Sequence, residues 1–309
     1  MEDYQCLNMV EPVYIQTAKR GILKERIVEA YALLESCCLC PRNCNVNRNK
    51  EQKGICKTGR KVKVSSFHPH FGEESPLVGI YGSGTIFFSN CNLLCNFCQN
   101  YDISHLGQGM EISNKQLAGF MLDLQERGCH NINLVTPSHV VPQILSALEI
   151  AISKGLNIPL VYNTGGYDSL ETLKLLDGII DIYMPDLKFM EPEDSILCGL
   201  PEDYPEITKR AIVEMHRQVG DLKVSTSGIA TRGLLIRHLV MPGDLSKTEK
   251  TMRFIATEIS ENTYVNIMSQ YRPAYIAVNI AELNRQITET EFKKALESKR
   301  QNGLLRAIL

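Results

Sequence analysis

The chain has 309 residues, of which 44% are hydrophobic and 22% are charged, and its formal net charge at pH 7 is −2. A chain of this size and composition can bury a large core, either as one α/β barrel or as two domains. The charge gives no reason to expect a nucleic-acid partner or an anionic membrane surface, and without an apolar run near about 18 residues no membrane span is predicted.

The cysteine content is high, at eleven. Residues 1–16 mix acidic and polar residues with scattered apolar ones, so we expect no signal peptide and a cytoplasmic location. In a reducing compartment, cysteines in this number favour metal or redox chemistry over disulfides.

A predicted helix over residues 17–36 leads directly into a cysteine-rich segment. Its cysteines Cys37, Cys40, Cys44 and Cys56 bracket a polar stretch, NVNRNKEQKG. Because such a stretch cannot build a core, we expect a bound metal to hold it together, with reduced buried thiols as the alternative. Four thiolates suit both zinc and an iron–sulfur cluster, so the ligand set does not choose between them.

A short predicted strand over residues 61–66 is followed by a polar segment that contains His68, His70, Glu73 and Glu74. These side chains could bind a metal, although such a segment more often forms a polar loop.

The stretch TIFFSNCNLLCNFCQNY begins as a buried strand over residues 85–88 and then forms a loop that carries Cys91, Cys95 and Cys98. Three cysteines do not complete a structural zinc site, and as disulfides they would leave one thiol over. They do suit a [4Fe–4S] cluster in which one iron stays open for a substrate or cofactor.

From residue 85 onward, predicted strands and helices alternate. Strands are predicted over 85–88, 131–135, 158–163, 179–184, 234–241 and 265–269, and helices over 113–127, 142–153, 168–176, 205–219, 246–259 and 288–303. The connections 191–205 and 222–232 show no regular pattern. Six parallel strands with crossover helices predict an α/β protein with a partial (β/α)6 TIM-like barrel, and an open doubly wound sheet is the alternative. We expect a small cysteine-rich metal-binding extension over residues 1–66 and the barrel over 67–309.

Polar residues follow two of these strands, at the end where the active sites of such barrels lie. Asn163, Thr164 and Gly165 follow the third strand, and Asp186 and Lys188 follow the fourth. The glycine allows a ligand to approach the backbone or simply a tight turn. Alternation places Asp186 and Lys188 on the same side, where the ammonium group could hold a carboxylate.

The spacing Cys-x3-Cys-x2-Cys, with a strand ahead of it and an aromatic residue before the third cysteine, resembles the radical S-adenosylmethionine (SAM) superfamily. The chain is also similar to the activating-enzyme branch, which includes pyruvate formate-lyase activating enzyme, and to an uncharacterised iron–sulfur subgroup of that branch with an additional N-terminal cysteine cluster. The shared stretches, within residues 37–272, are CLCPRNC, NR, GIC, GSGTIFFSNCNLLCNFCQN, VYNTGGYDS, YMPDLK and RGLLIRHLVMPG.

This resemblance implies that Cys91, Cys95 and Cys98 hold a [4Fe–4S] cluster whose open iron chelates SAM. An electron then cleaves SAM to a 5′-deoxyadenosyl radical, which abstracts hydrogen from a substrate. The resemblance also implies an electron donor such as flavodoxin or ferredoxin, and it favours a partner protein that receives a glycyl radical. A radical SAM enzyme acting on a small molecule and a two-cluster iron–sulfur electron carrier are the alternatives.

The same resemblance assigns SAM contacts. Phe97 would lie near the adenine, and Asp186 and Lys188 would bind the methionyl end, with the lysine reaching the carboxylate. The turn after the third strand, with Asn163, Thr164 and Gly165, would contribute further contacts. No cysteine or tyrosine near the strand ends identifies itself as a second hydrogen donor, so no catalytic residue is assigned.

The chain departs from the activating enzymes at two places. Their monovalent-cation site corresponds to Asn163, Thr164, Met184 and Asp186, and Asn163 replaces an acid there, which puts the cation in doubt. In place of their Gly-Gly-Glu, which grips the SAM amino group, the chain has VTPSH, where Thr136 and Ser138 could accept that hydrogen bond.

Overall fold

The computed structural model describes residues 11–306. Most of the segment on which the absence of a signal peptide was predicted therefore lies outside the described residues. Within residues 11–306, no helix is long and apolar enough to cross a membrane.

The described elements alternate between strands and helices along most of the chain. The helices are α1 (Val13–Lys19), α2 (Ile22–Ala32), α3 (Ser75–Val78), α4 (Tyr101–Ser104), α5 (Asn114–Glu126), α6 (Val141–Ile152), α7 (Leu170–Leu175), α8 (Pro192–Leu197), α9 (Tyr204–Val219), α10 (Thr248–Phe254) and α11 (Glu289–Gln301). The strands are β1 (Val62–His70), β2 (Ser83–Phe88), β3 (Met110–Ile112), β4 (Ile132–Val135), β5 (Leu160–Thr164), β6 (Ile182–Pro185), β7 (Lys223–Val224), β8 (Ala230–Leu239) and β9 (Tyr264–Met268).

The sheet is dominated by parallel strands. Strands β2, β4, β5, β6, β8 and β9 pair in that order, and every pair among them is parallel. Strand β1 pairs antiparallel with β2 and β3, and β7 pairs antiparallel with β8. Among the described strands no ladder joins β9 back to β1 or β3, so the sheet stays open. The predicted α/β class, with six parallel strands, is confirmed.

The two faces of the sheet bury different sets of side chains because residues alternate along each strand. The outer face packs against the helices, with large buried residues such as Tyr162 and Tyr183. On the inner face, Val161 and Met184 belong to a smaller cluster with Leu77 of α3. The parallel strands end beyond this inner cluster, and there β2 and β6 lead into their loops.

The N-terminal helices share the main core, with Tyr14, Leu23 and Leu34 fully or almost fully buried in it. The single helix predicted over residues 17–36 is wrong: α1 ends before Gly21, which has a φ of +79° that favours glycine, and α2 starts after it. The division at residues 66 and 67 stays a prediction, and β1 runs across that position.

Other differences from the predicted elements lie in polar segments. Strand β1 continues beyond the predicted end at residue 66 to His70, because β2 pairs with it as far as that residue. Its two histidines stack on each other and meet Phe87 edge-on. The connection 191–205 contains the short helix α8, and 222–232 contains β7 and the start of β8, which form a hairpin.

Candidate active site at the strand ends

The loop after β2 gathers the three cysteines of the Cys-x3-Cys-x2-Cys motif. Its backbone takes left-handed conformations at Asn90 and Leu94, with φ of +72° and +61°. The backbone N–H of Leu93 donates a hydrogen bond to the Cys91 sulfur at 3.3 Å. Burial raises the pKa of Cys95 well above its ordinary value, and the neighbouring thiols Cys91 and Cys98 raise it further. The three cysteines therefore lie close together on one loop.

Lys188 connects this loop with the end of β6. Its ammonium group forms a largely buried ion pair with Asp186, so the two side chains lie on the same side, as the alternation along the strand predicted. Although burial opposes its charge, Asp186 and then Cys95 hold the pKa of Lys188 above its ordinary value. Lys188 in turn lowers the pKa of both Cys91 and Cys95. The structure thus brings Asp186 and Lys188 together with the cysteine loop.

Tyr204, on α9, fixes the backbone beside this ion pair. Its buried hydroxyl lies 3.0 Å from the carbonyl oxygens of both Gly165 and Asp186, and it accepts a hydrogen bond from the Lys188 N–H at 3.1 Å. One tyrosine therefore joins the turn after β5 to the turn after β6.

Arg237, on β8, is the main site residue that the sequence did not reveal. Its Nε donates to Asp186 Oδ1 at 2.7 Å, and its Nη2 donates to Asn163 Oδ1 at 2.7 Å. The guanidinium group thus lies between two of the positions at which the resemblance implied a monovalent cation. Burial raises the pKa of Asp186, but Arg237 and Lys188 outweigh it and hold that pKa below its ordinary value. An arginine inside the buried run LLIRHLV was the available signal, since an unpaired charge is costly there.

A pair of carboxyls lies against the other side of Arg237. Glu73 Oε2 is 3.6 Å from Arg237 Nη1, and Glu74 accepts a hydrogen bond from Asn266 at 3.0 Å. Burial, the largest cause, raises the pKa of Glu73 to about 7, while Arg237 opposes the shift and Glu74 adds to it. These acids therefore lie on the side of Arg237 that faces away from Asp186.

The turn after β5 is held by its own hydroxyl groups. Thr164 Oγ1 donates to the buried carboxylate of Asp168 at 2.6 Å and accepts from the Gly166 N–H at 3.2 Å. Ser138 lies 3.1 Å from the same hydroxyl, so both groups already have partners within the protein. Thr136, by contrast, has a left-handed backbone conformation, with a φ of +61°. This conformation is rare for a β-branched residue, and residues strained in this way are concentrated at functional sites.

Gly165 packs against the cysteine loop, and Phe97 is part of that loop. A Cβ atom at Gly165 would lie 2.5 Å from Leu93 Cδ1 and 3.9 Å from Lys188 Cε, so a larger residue here would displace the Leu93 side chain of the cysteine loop. Phe97 is buried, with ring centroids 6.0 Å from both Phe189 and Tyr271.

The upstream cysteines also come together. Cys37, Cys40, Cys44 and Cys56 line one enclosed cavity, which Arg42, Arg48 and His139 also line. The metal predicted there stays a prediction.

The sequence of this chain is similar to those of known proteins. The model of the radical SAM superfamily matches residues 85–255. An uncharacterized protein of Methanocaldococcus jannaschii is 34% identical over 291 residues, which cover 92% of this chain and 80% of the relative. Among solved structures, the cobalamin-dependent S-adenosylmethionine radical enzyme OxsB with aqua-cobalamin bound aligns with 14% identity and a TM-score of 0.40. The alignment covers 72% of this chain but only 31% of that structure.

Proposed function

We propose that this chain, which belongs to the radical SAM superfamily, cleaves SAM with Cys91, Cys95 and Cys98 as the cluster ligands and Lys188 as a SAM contact. Membership implies a [4Fe–4S] cluster and SAM, whose reductive cleavage supplies a 5′-deoxyadenosyl radical for hydrogen abstraction. The observation that carries the residue assignment is geometric: the Lys188–Asp186 ion pair lies at the end of β6, where a Cβ atom at Gly165 would be 3.9 Å from Lys188 Cε and 2.5 Å from Leu93 Cδ1 of the cysteine loop.

The donor set of the cysteine loop fits such a cluster. Its three thiols, of which Cys95 is buried and Cys91 and Cys98 are partly buried, lie on one loop. Three ligands leave one iron of a four-iron cluster open. The Leu93 N–H donates to the Cys91 sulfur, as suits a thiolate, and the cation of Lys188 favours the ionised form of its neighbours.

Each charged side chain at the strand ends then has a separate task. Lys188 binds the SAM carboxylate, and Asp186 keeps that ammonium group charged and in place. Arg237 neutralises Asp186 from the other side, so the aspartate is not left as an uncompensated charge when Lys188 turns toward SAM. Thr136 is the available acceptor for the SAM amino group because Ser138 already bonds Thr164.

We further propose that the enzyme is of the activating type, acts on a partner protein at a glycine, and receives its electron from a flavodoxin or ferredoxin. The YMPDLK and VYNTGGYDS stretches support this branch, with Asp186, Lys188 and Thr164 in the roles that the resemblance implies. A radical SAM reaction on a small molecule is the second candidate, and the two acids beside Arg237, Glu73 and Glu74, favour it as polar groups near the site.

The upstream cysteines support a further cofactor, and we propose that Cys37, Cys40, Cys44 and Cys56 bind a metal that stabilises their loop. Nitrogen donors point at their sulfurs: the Ile55 N–H lies 3.4 Å from Cys44, and Arg48 Nη1 lies 3.9 Å from Cys37. These contacts suit thiolates bound to a cation.

The proposal is tested by incubating anaerobically purified protein with dithionite and SAM and measuring 5′-deoxyadenosine. We expect production by the wild type and none by Cys95→Ala, because two ligands cannot hold the cluster. A Cys129→Ala variant, which removes a buried thiol outside both cysteine loops, is the matched control and should retain activity. Activity retained by Cys95→Ala would contradict the assignment. Adding candidate protein or small-molecule fractions and following deuterium into 5′-deoxyadenosine distinguishes the two substrate classes.

A further inference from the structure

The two cysteine loops contact each other through Arg42, which lies between Cys40 and Cys44 in the sequence. Its Nε donates to the carbonyl oxygen of Asn92 at 2.8 Å, and its Nη2 donates to that of Leu93 at 3.0 Å. Both carbonyls belong to the loop that carries Cys91 and Cys95. The upstream segment therefore holds the backbone of the SAM-cluster loop directly.

Asn92 adds a second connection. Its side-chain amide donates to the Tyr167 carbonyl at 2.8 Å and lies beside the Cys40 thiol, and the Tyr167 ring in turn lies under the Arg42 guanidinium, 5.8 Å from its centroid. The connection thus includes the turn after β5 as well as the two cysteine loops. Any change in the position of Arg42 must reach all three segments.

The upstream thiols line one cavity beside this connection. Four thiolates suit zinc and an iron–sulfur cluster equally, so the donor set does not choose between the two. With either one, all four thiols must be held around one bound group, and Arg42 lies between two of them in the sequence.

We infer that Arg42 is a positioning residue through which the site of Cys37, Cys40, Cys44 and Cys56 fixes the loop of the first cluster. The inference rests on the proposed function for the role of the first cluster and for the metal at the upstream site. Four protein ligands leave a bound metal no open position, so its task is to hold its own loop, and with it Arg42, in place.

Metal analysis tests the upstream site on its own. The full chain carrying Cys91→Ala, Cys95→Ala and Cys98→Ala together is purified anaerobically and reconstituted with iron and sulfide or with zinc. We expect it to retain metal, as about four irons with equivalent sulfide or as one zinc, because the upstream site is intact. No metal at all would overturn the role given to this site. This variant lacks the first cluster, so its metal content does not depend on SAM chemistry. Failure of the proposed function would show separately, as a missing SAM-dependent signal in the wild type.

Spectroscopy tests the role of Arg42. The electron paramagnetic resonance spectrum of reduced full-length protein is recorded with and without SAM, and the difference isolates the cluster that binds SAM. We expect Arg42→Gln to alter this difference spectrum and the midpoint potential of the cluster that binds SAM, while leaving the iron content unchanged. Arg42→Lys should restore the spectrum and the potential in part, because the lysine can donate to one of the two carbonyls. The matched control is Arg26→Gln, since Arg26 also donates to backbone carbonyls, those of Leu175 and Asp177, far along the chain from both cysteine loops.

A double-mutant comparison completes the test. If the second site acts through Arg42, Cys40→Ala should change the SAM-dependent spectrum as Arg42→Gln does, and the double variant should show no further change. Additive changes, or a difference spectrum in Arg42→Gln identical to that of the wild type, would overturn the positioning role. Thermal unfolding of each variant verifies that the chain is folded.

Discussion

Lys188 is the residue through which the proposed SAM site can be measured most directly. A charge-assisted hydrogen bond is worth about 1.5–3 kcal/mol, so Lys188→Ala should weaken SAM binding roughly tenfold to a hundredfold. The iron content should not change, because the lysine contacts no proposed iron ligand by a hydrogen bond. Equilibrium binding of SAM to the reconstituted protein measures the effect.

The control for this variant is Lys250→Ala. Lys250 also pairs with a carboxylate, Glu191, but half of its side chain is exposed, and such pairs contribute little. SAM affinity unchanged in Lys188→Ala would reduce Lys188 to a structural partner of Asp186.

Arg237 leads to a prediction about ions. Because its guanidinium group already donates to Asn163 and Asp186, no monovalent cation is needed to neutralise Asp186. We therefore expect SAM affinity and cleavage to be equal in sodium, potassium and tetramethylammonium buffers of the same ionic strength. A severalfold loss in tetramethylammonium, with ionic strength held constant, would show that a small cation occupies the site together with Arg237.

At the scale of single residues, the sequence predicted the side chains that stand in recognisable spacings. It missed those that meet their partners only when distant segments of the chain come together. The cysteines and the Asp186–Lys188 pair follow from local order along the chain. Arg237 and Arg42 reach their partners only because β8 lies beside β6 and because the upstream loop folds back onto the loop after β2. No local pattern encodes such contacts between distant segments.

The turn between β5 and α7 gives a prediction at the scale of elements. Gly166 has a φ of +85°, and a Cβ atom there would lie 2.6 Å from the carbonyl oxygen of Asp186. Gly166→Ala should therefore displace the end of β6, lower the stability of the protein and weaken SAM binding. Thermal unfolding and SAM titration measure the two effects.

Gly155 provides a closely matched control. Its φ is +96°, but nothing lies within 4 Å of the position that its Cβ would take. Gly155→Ala should cost about 1–2 kcal/mol for the left-handed backbone and leave SAM affinity unchanged. Equal effects of the two variants on SAM binding would mean that the contact with Asp186 is irrelevant to the site.

Most of the parallel strands and their helices were predictable because short apolar runs alternate with capped, periodic segments. The capping boxes at Ser113 and Thr288 start α5 and α11 as predicted. The errors concern elements that depend on partners: β1 extends because β2 offers hydrogen bonds along its length, and β7 exists only as the partner of β8. Their residues alone carry no periodic signal.

At the scale of the whole molecule, the order of the strands follows from short right-handed crossovers, which place successive strands side by side. The sequence therefore predicted the parallel core of the sheet. It did not predict that the chain before β2 would supply an antiparallel edge, or that Glu73 and Glu74 would lie below the active site. Those contacts depend on how the segment between β1 and β2 crosses the inner face.

Two carboxyls that are far apart in the sequence link protonation to the stability of the whole protein. Burial raises the pKa of Glu73 from 4.5 and that of Asp181 from 3.8, each to about 7. Asp181 accepts hydrogen bonds from the N–H groups of Val13 and Leu160, which favour its ionised form but do not outweigh burial. The native state therefore keeps protons that the unfolded chain releases at lower pH.

The sign of the linkage follows from this difference in bound protons. Stability contributed by the two groups is complete below their unfolded pKa values and is lost as the pH rises to about 7, by at most about 1.4 kcal/mol per pH unit for each group. We expect the unfolding temperature to fall between about pH 4 and about pH 7, and Glu73→Gln to make that fall shallower because the amide cannot ionise. Glu289→Gln, at a highly exposed carboxylate, should leave the slope unchanged. An identical slope in Glu73→Gln and the wild type would show that Glu73 is already ionised in the native protein, held by Arg237.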